Sequence, residues 1–510
     1  MELDEISNNV SALLNTDASR IAVTASLDQT TRSDLGQYMT PAPVARFLAS
    51  MFDNLPEHVR LLDAGAGMGA LTAAFVNEVC SRNEKPKSIC VTTFEVDQIL
   101  VKSLNETLDA CSNECKRAGI AFKSIIVNED FVLHAATVLR LDQNSERRFN
   151  CAILNPPYAK ISSASTTRKA LRQIGIETTN LYTAFVAIAL DRLDTDGQLV
   201  AITPRSFCNG TYFKPFREFM LGRSALRRVH VYESRKNAFK DDAVLQENII
   251  FRIIKTTVSP EQVCISTSYD PSGLNSTSRL IPFEQVVLPR DPNLFIRLPV
   301  SVEDGDLAHR TRTLPCSLYD LGITVSTGRV VDFRAKEHLR MAPEKGAVPL
   351  IYPGHFKGGT VAWPNLQGKK PNALSSNEQT KSLLVPNGIY VLTKRFSSKE
   401  EKRRLVAVVY YPELINTDHV GFENKLNYFH INGKGIPRTV ARGLALFLNS
   451  TAVDQYFRQF SGHTQVNATD LRNLHYPTIS QLGAAGELAQ DGTLAQEEID
   501  SIVERILLLS

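Results

Sequence analysis

The sequence lacks any long apolar run. Nowhere in its 510 residues do about 18 apolar positions follow one another, so no transmembrane helix is expected. The N-terminal MELDEISNNVSALLNTDASR has no basic segment leading into an apolar one, so no signal peptide is expected either. A strong charge of one sign is also missing. Fifty-seven Lys/Arg against 54 Asp/Glu leave +3, which excludes a polycation. With 43% hydrophobic and 22% charged residues the chain is neither disordered nor collagen-like. Cysteines are few and irregular, at 80, 90, 111, 115, 151, 208, 264 and 316, which reads as free thiols in a cytoplasmic protein. Cys111 and Cys115 have no second Cys/His pair at zinc spacing, so no metal site is expected. There is no internal repeat. At about 150 residues per domain the length implies three domains or two large ones.

From residue 36 to about 255, apolar strand-like runs alternate with helical patterns. Strands are expected at Val59–Asp63, Ile89–Glu95, Ser124–Val127, Cys151–Leu154, Gln198–Thr203, Arg228–Glu233 and Asn248–Ile253. Helices are expected at Gly69–Cys80, Ile99–Ala118 and Leu181–Leu193. This alternation predicts an α/β fold with a mainly parallel sheet. No long helix separates the last two strands, so one antiparallel strand is expected at the end of the sheet. The reading divides the chain into 1–260 (with 1–35 as a helical extension), a Ser/Pro-rich connector at 261–310, and a second domain at 311–510. The last part mixes short strands and Gly/Pro turns with helices at Val440–Phe460 and Glu497–Leu509.

Charge is distributed unevenly. Residues 1–260 hold 30 basic and 29 acidic residues, a net of +1. Residues 310–475 hold 23 and 12, a net of +11, and residues 476–510 hold one and six, a net of −5. A basic surplus confined to one domain suits contact with a phosphate backbone.

Val59-Arg-Leu-Leu-Asp63-Ala64-Gly65-Ala66-Gly67-Met-Gly69 is an apolar strand running into a glycine-rich turn. Glycines let the backbone turn sharply and approach a ligand. The pattern alone does not choose between NAD, FAD and S-adenosylmethionine. Asp63 tilts the choice, because a carboxylate would repel a pyrophosphate and attract an ammonium or sulfonium. A second strand ends at Glu95, suited to both ribose hydroxyls, and a third tip carries Asp130 and Phe131, suited to an adenine amine and ring.

Cys151-Ala-Ile-Leu-Asn155-Pro156-Pro157-Tyr158 is the sharpest signal. Two prolines stiffen the loop after a strand. The Asn155 carboxamide oxygen and the Pro156 carbonyl then form two fixed acceptors for the N–H bonds of a planar amine. Tyr158 is placed to stack on the ring that carries it. Cytosine-C5 chemistry, with Cys316 of Pro315-Cys316 as nucleophile, is rejected, because its partner motif should follow that pair and Glu247-Asn248 precedes it.

With these motifs the chain resembles the γ group of amino-group DNA methyltransferases, which methylate N6 of adenine. Gly36-Gln-Tyr38-Met39-Thr40-Pro41, Asp63–Gly69, Asn155–Tyr158 and Asn180-Leu-Tyr182-Thr-Ala-Phe185 carry the likeness. Only about 84 residues separate the glycine loop from Asn155, too few for the inserted domain of the α group. GQYMTPAPVARFLASMF, DAVLQENIIF and VSTGRVVDFR extend the resemblance to the PstI/BsuBI modification methylases.

The resemblance implies a Rossmann-like class I S-adenosylmethionine methyltransferase domain followed by a mixed α+β DNA target-recognition domain. It implies S-adenosylmethionine held by Tyr38, Met39, Thr40, Pro41, Asp63, Ala64, Gly65, Ala66, Gly67, Glu95, Val96, Asp130, Phe131 and Asn155. It places Asn155, Pro156, Pro157 and Tyr158 at a flipped-out adenine of double-stranded DNA, with Phe239 of Lys-Asn-Ala-Phe239 on its other face. An ordinary core phenylalanine is the alternative for that residue. The implied substrate is CTGCAG, protected from a functionally paired restriction endonuclease in a bacterial cytoplasm, and one adenine per strand of that palindrome permits a monomer that acts twice. Arg329, Arg334, Lys336, Lys394, Arg395, His463, Gln465, Asn467 and Arg472 are the candidate DNA contacts. The rivals are a methylase of RNA or of a protein glutamine, and a catalytically inactive DNA-binding homologue. A fused nuclease is a weaker one, since no credible nuclease cluster is present.

Overall fold

Among the described residues, seven strands form where apolar residues crowd the run from 58 to 255. They are β1 (His58–Ala64), β2 (Ser88–Phe94), β3 (Ala121–Val127), β4 (Phe149–Leu154), β5 (Leu193–Pro204), β6 (Ser224–Tyr232) and β7 (Asn248–Lys255). The computed structural model describes Leu13, Thr16 and residues 39–141, 148–232, 247–289, 291–299, 311, 314–397, 401–414, 417–460, 465–489 and 494–505. Strand order in the first sheet is β3-β2-β1-β4-β5-β7-β6, extended by β8 (Gln262–Ser268) and β9 (Thr277–Pro282). β1 pairs in parallel with β2 and β4, and β4 with β5. β7 lies antiparallel between β5 and β6, so the expected antiparallel strand is present.

Period-two side-chain alternation splits the sheet's two faces. Leu61, Cys151, Ile153, Val200 and Ile202 pack with α1 (Ala42–Ser50) and α2 (Ala70–Ser81). Leu62, Ala152, Leu154, Leu199 and Ala201 pack with α6 (Leu181–Arg192) on the opposite face. α3 (Gln98–Arg117) and α4 (Phe131–Leu141) carry the chain between β2, β3 and β4, and α5 (Thr166–Gln173) precedes α6. Both faces are covered, as parallel strands require. The chain leaves β1 toward β2 and β3, then returns to the other side of β1 as β4. That reversal opens a crevice at the carboxyl ends of β1 and β4.

The segment expected as a connector is structured: two strands are followed by a short helix, Phe283–Val286, and by Val287, Ile296 and Leu298, which are buried in the core of the first unit. β8 pairs in parallel with β6, and β9 antiparallel with β8. Val263 and Ile265 alternate with polar residues and are buried, a two-residue period diluted by the Ser/Thr content around it. The Ser/Pro/Gly stretch between the two strands is a folded hairpin loop. Gly273 has φ +69°, and a Cβ there would meet the Phe47 ring at 2.4 Å. The first compact unit runs to Val300 and the second from Ser301 to Ser510.

Among its described residues the second unit contains two sheets and a set of helices. One sheet has the order β10-β20-β17-β18-β14-β13, with β10 at Thr324–Thr327, β13 at Phe356–Lys357, β14 at Thr360–Val361, β17 at Tyr390–Lys394, β18 at Ala407–Tyr410 and β20 at Leu426–His430. The other has the order β11-β15-β12-β19-β16, with β11 at Leu339–Arg340, β12 at Ala347–Ile351, β15 at Ala373–Ser375, β16 at Leu384–Pro386 and β19 at His419–Phe422. The helix expected over Val440–Phe460 is two, Arg438–Leu448 (α7) and Thr451–Phe460 (α8). Asn449 breaks the pattern by pairing its carboxamide with the backbone N–H and C=O of Ala407, at 3.0 and 2.7 Å. α7 crosses a further helix, α9 (Ile479–Leu488), at Gly443 and Gly486. A Cβ on Gly443 would lie 1.8 Å from the Leu482 carbonyl oxygen. No helix among the described residues is long and apolar enough to cross a membrane.

Candidate active site

Asp63 sits near the end of β1 with no solvent exposure. Thr72 Oγ1, in the first turn of α2, donates to Asp63 Oδ2 at 2.7 Å. The other oxygen, Oδ1, is buried and accepts no hydrogen bond from the described residues. Burial lifts the carboxyl to about 7, against the hydrogen bonds from Thr72, and the charge of nearby Glu95 adds to the rise. A buried acceptor of this kind calls for a cation.

The turn that follows is built on backbone donors. Gly65 N–H and Ala66 N–H both donate to the Phe94 carbonyl oxygen at 2.9 Å. Gly67 has φ +56° with open space where a Cβ would be, so its conformation rather than crowding demands glycine. Its N–H donates to Glu95 Oε2 at 2.7 Å, and Asp97 N–H donates to Oε1 at 2.9 Å. Glu95 is almost fully buried, and burial raises its carboxyl above the ordinary range against these backbone bonds. Asp130 is exposed just beyond β3 and accepts from Leu133 N–H at 2.8 Å at the start of α4. Phe131 turns its ring into the core, edge-on to Phe94 at 4.9 Å and tilted on Phe185 at 5.1 Å. Val96 is 54% exposed and offers the apolar surface beside Glu95.

Asn155 follows β4, which neighbours β1 at the crevice. Asn155 Nδ2 donates to Thr40 Oγ1 at 2.9 Å, and Tyr158 OH donates to Asn155 Oδ1 at 3.3 Å. Thr40 is buried just before α1, with Met39 and Pro41 on either side. Pro156 is buried, and Pro157 and Tyr158 are half-buried. The Tyr158 ring meets Tyr182 edge-on at 6.2 Å, and Tyr182 OH is 2.8 Å from Ser206 Oγ. The fold thus gathers Thr40, Asp63, Glu95, Asn155 and Tyr158 at one edge of the sheet. Tyr38 and Phe239 lie outside the described residues.

In the second unit, Arg329, Arg334 and Lys336 are exposed. Arg334 lies 5.5 Å over the ring of Phe333, itself 68% exposed. Lys394 ends β17. Arg395 follows it and donates to the Asn424 carbonyl at 3.1 Å and to Gln465 Oε1 at 3.4 Å, so the structure brings Lys394, Arg395 and Gln465 together. Asn467 caps the short helix Ala468–Arg472 with Asp470, and Arg472 donates to the Val325 carbonyl at 2.8 Å, so both engage the fold itself. His463 lies outside the described residues.

The model of the Eco57I restriction-modification methylase family matches residues 77–239. The chain is 46% identical over 493 residues to the type II methyltransferase M.PstI of Providencia stuartii, covering 97% of each protein. The chain belongs to the type II methyltransferase family. A second member, M.BsuBI of Bacillus subtilis, is also 46% identical, over 500 residues, covering 96% of this chain and 97% of that one. In overall fold this type II methyltransferase is similar to the type IIL restriction-modification enzyme MmeI, solved in complex with DNA. The TM-score is 0.54 at 12% identity, covering 88% of this chain and 70% of that one. The ATP-dependent type ISP enzyme LlaBIII, bound to DNA, gives 0.51 at 9% identity, covering 94% and 41%.

Sequence reasoning missed several buried polar contacts in and beyond the candidate site. Thr72 holds Asp63. Its signal is a lone hydroxyl in the apolar helix face ALTAAFV. Asn128 Nδ2 donates to the Glu95 carbonyl at 2.6 Å. Arg205 and Glu247 form a buried ion pair at 3.0 Å where β5 ends and β7 begins. Forty-two residues separate them, and no local pattern joins them.

Proposed function

We propose that this chain transfers a methyl group from S-adenosylmethionine to N6 of an adenine in double-stranded DNA, as the modification enzyme of a type II restriction-modification system. The observation that carries this reading is the Asn155 carboxamide, hydrogen-bonded at both ends, beside the strand that ends in the buried Asp63 carboxylate. The first unit is read as a Rossmann-like class I methyltransferase domain, on the strand order of its sheet. The second, with its basic surplus, is read as the target-recognition domain.

The residues suit the cofactor. Asp63 Oδ1 is a buried acceptor without a donor among the described residues, matched to the ammonium of a methionine moiety. Glu95 and Asp130 suit hydroxyl and amino donors, and Val96 offers an apolar wall. When bound, the cofactor supplies an electrophilic methyl group on a sulfonium. An adenine amine within a duplex is out of reach, so the base is flipped out. Asn155 Oδ1 and Pro156 O accept its two N–H bonds, which draws the nitrogen lone pair out of the ring and toward the methyl. Tyr158 stacks on the base. Most of the rate comes from holding the reacting atoms in line. The amine proton leaves to solvent.

Resemblance to the PstI/BsuBI methylases makes CTGCAG the expected site and a partner endonuclease the expected counterpart, with a cytoplasmic monomer acting on each strand in turn. Lys394 and Arg395 are read as phosphate contacts beside Gln465. The test is transfer of labelled methyl to duplexes with and without CTGCAG, alongside Asn155→Ala. Label on N6-methyladenine only in the CTGCAG duplex, and lost in the variant, is the expected result. Label on another DNA sequence discards the site, and label on RNA or protein alone overturns the reading.

A further inference from the structure

The carboxamide of Asn155 is asymmetric. One end donates and the other accepts, and the two differ by a half-turn of the side chain. Rested on the amine-methylating reading above, the chemistry works in only one orientation. Oδ1 must face the incoming amine, because Nδ2 there would set donor against donor. Neither the two prolines nor the strand ahead of them distinguishes the two ends. The two hydrogen bonds do so through the unequal donor and acceptor strengths of their hydroxyls. Tyr158 donates to Oδ1 at 3.3 Å, and Thr40 Oγ1 accepts from Nδ2 at 2.9 Å.

Both partners are hydroxyls, but they are not equivalent. A phenol is the more acidic and the better donor, while an aliphatic hydroxyl is the better acceptor. Thr40 is also firmly placed. It is 6% exposed and leads into α1, where Ala45 N–H donates to the Pro41 carbonyl at 2.9 Å and Val44, Ala45 and Leu48 have no exposure. The Tyr158 contact is the longer one and gives way when an amine arrives at Oδ1. The Thr40 contact lies on the far end of the amide and persists.

We infer that Thr40 is a positioning residue: its hydroxyl, by accepting from Asn155 Nδ2, fixes the amide with Oδ1 toward the target amine. This is separate from any contact of Thr40 with the cofactor, and 115 residues of sequence separate the pair.

The test compares wild type, Thr40→Val and Thr40→Ser in steady-state methyl transfer to duplex DNA. Valine keeps the shape and removes the acceptor. Thr40→Val is expected to lower kcat about tenfold, the effect of one buried hydrogen bond, with KM for S-adenosylmethionine within about threefold of wild type. Thr40→Ser is expected to restore kcat. A second arm places both alleles in an Asn155→Asp background. A carboxylate accepts at either end, so orientation no longer matters, and the loss caused by Thr40→Val is expected to shrink below about threefold.

A Thr40→Val enzyme with unchanged kcat overturns the inference. So does a rise in KM alone, which marks a cofactor contact, or an equal loss in both backgrounds, which marks packing. If Asn155→Asp is inactive, the split between kcat and KM and the serine rescue decide. If Thr40→Val does not fold, Thr40→Ala removes the same acceptor. A wild-type enzyme that transfers nothing to DNA defeats the function proposed above, and this inference with it.

Discussion

On the proposed function Asp63 meets the cofactor's ammonium, which would tie cofactor binding to pH, and the environment of Asp63 sets the size of the effect. Its carboxyl titrates near 7 where an ordinary aspartate titrates at 3.8. For an acid whose pKa is raised by folding, the stabilising contribution is complete below the unfolded value and is lost as pH rises through the folded one. Between about pH 4 and 7 this group therefore withdraws about 4 kcal/mol from the free protein, at 1.36 kcal/mol for each of about three pH units. A ligand that brings an ammonium to Oδ1 binds the ionised form and drives the pKa back down. Affinity for S-adenosylmethionine then rises with pH until Asp63 is ionised in the free protein. From pH 6 to 7.5 the free ionised fraction grows about eightfold. The ligand's own α-amino group, near 7.7–8.0, has begun to lose its proton by then and trims the net gain to about fivefold. Glu95 is also raised by burial and adds a change of the same sign, so Asp63→Asn is needed to separate the two. Calorimetric titration at pH 6, 6.75 and 7.5 measures the affinity. Repeating pH 6 in buffers of different ionisation enthalpy counts the protons, about 0.9 released per site on this reasoning. Asp63→Asn is expected to bind more weakly at pH 7.5, with most of the pH dependence gone, and its free form is expected to be more stable there. Affinity equal within twofold at pH 6 and 7.5, or a slope that survives in the variant, would refute the linkage.

Two further predictions concern the second unit. Gly443→Ala places a methyl 1.8 Å from the Leu482 carbonyl oxygen, so α7 and α9 must separate. Urea unfolding is expected to show a loss of about 1–3 kcal/mol, the usual range for overpacking, and no loss would mean that the crossing yields easily. Lys394→Ala, with its side chain half-exposed at the end of β17, is expected to weaken DNA binding alike for specific and non-specific duplexes and to lower the salt slope by about one. A loss confined to one sequence would make Lys394 a base reader instead.

The catalytic half was legible because its signals are local. Val59–Gly69 and Cys151–Tyr158 each read as a strand and its exit within about a dozen consecutive residues, and each strand formed where the pattern placed it. The missing crossover helix made an antiparallel strand legible, but not its place between β5 and β6, since the sheet runs on through β8 and β9. The extent of the sheet was not legible either. Val263 and Ile265 are two buried positions in a Ser/Thr-rich stretch, and composition outweighed a short alternation. Val440–Phe460 misled in the opposite way, since helical periodicity continues across Asn449 and only its partner Ala407, 42 residues away, ends the helix.

The same division runs through the site, and it falls on energetics rather than on identity. Local sequence names the groups proposed to touch the ligands, because their chemistry is written in residue type. Their working state depends on partners from elsewhere in the chain. Asp63 is held near neutrality by the burial that a whole sheet provides and is opposed by Thr72, nine residues on. Asn155 has a useful orientation because Thr40 enters from the start of α1. Asp63→Asn and Thr40→Val therefore probe something that the motifs alone cannot encode. One changes the charge state of a group already in the motif, and the other changes the direction in which such a group points. A chain with intact Asp63–Gly69 and Asn155–Tyr158 motifs but no acceptor at position 40 would carry the signature of the chemistry while performing it slowly.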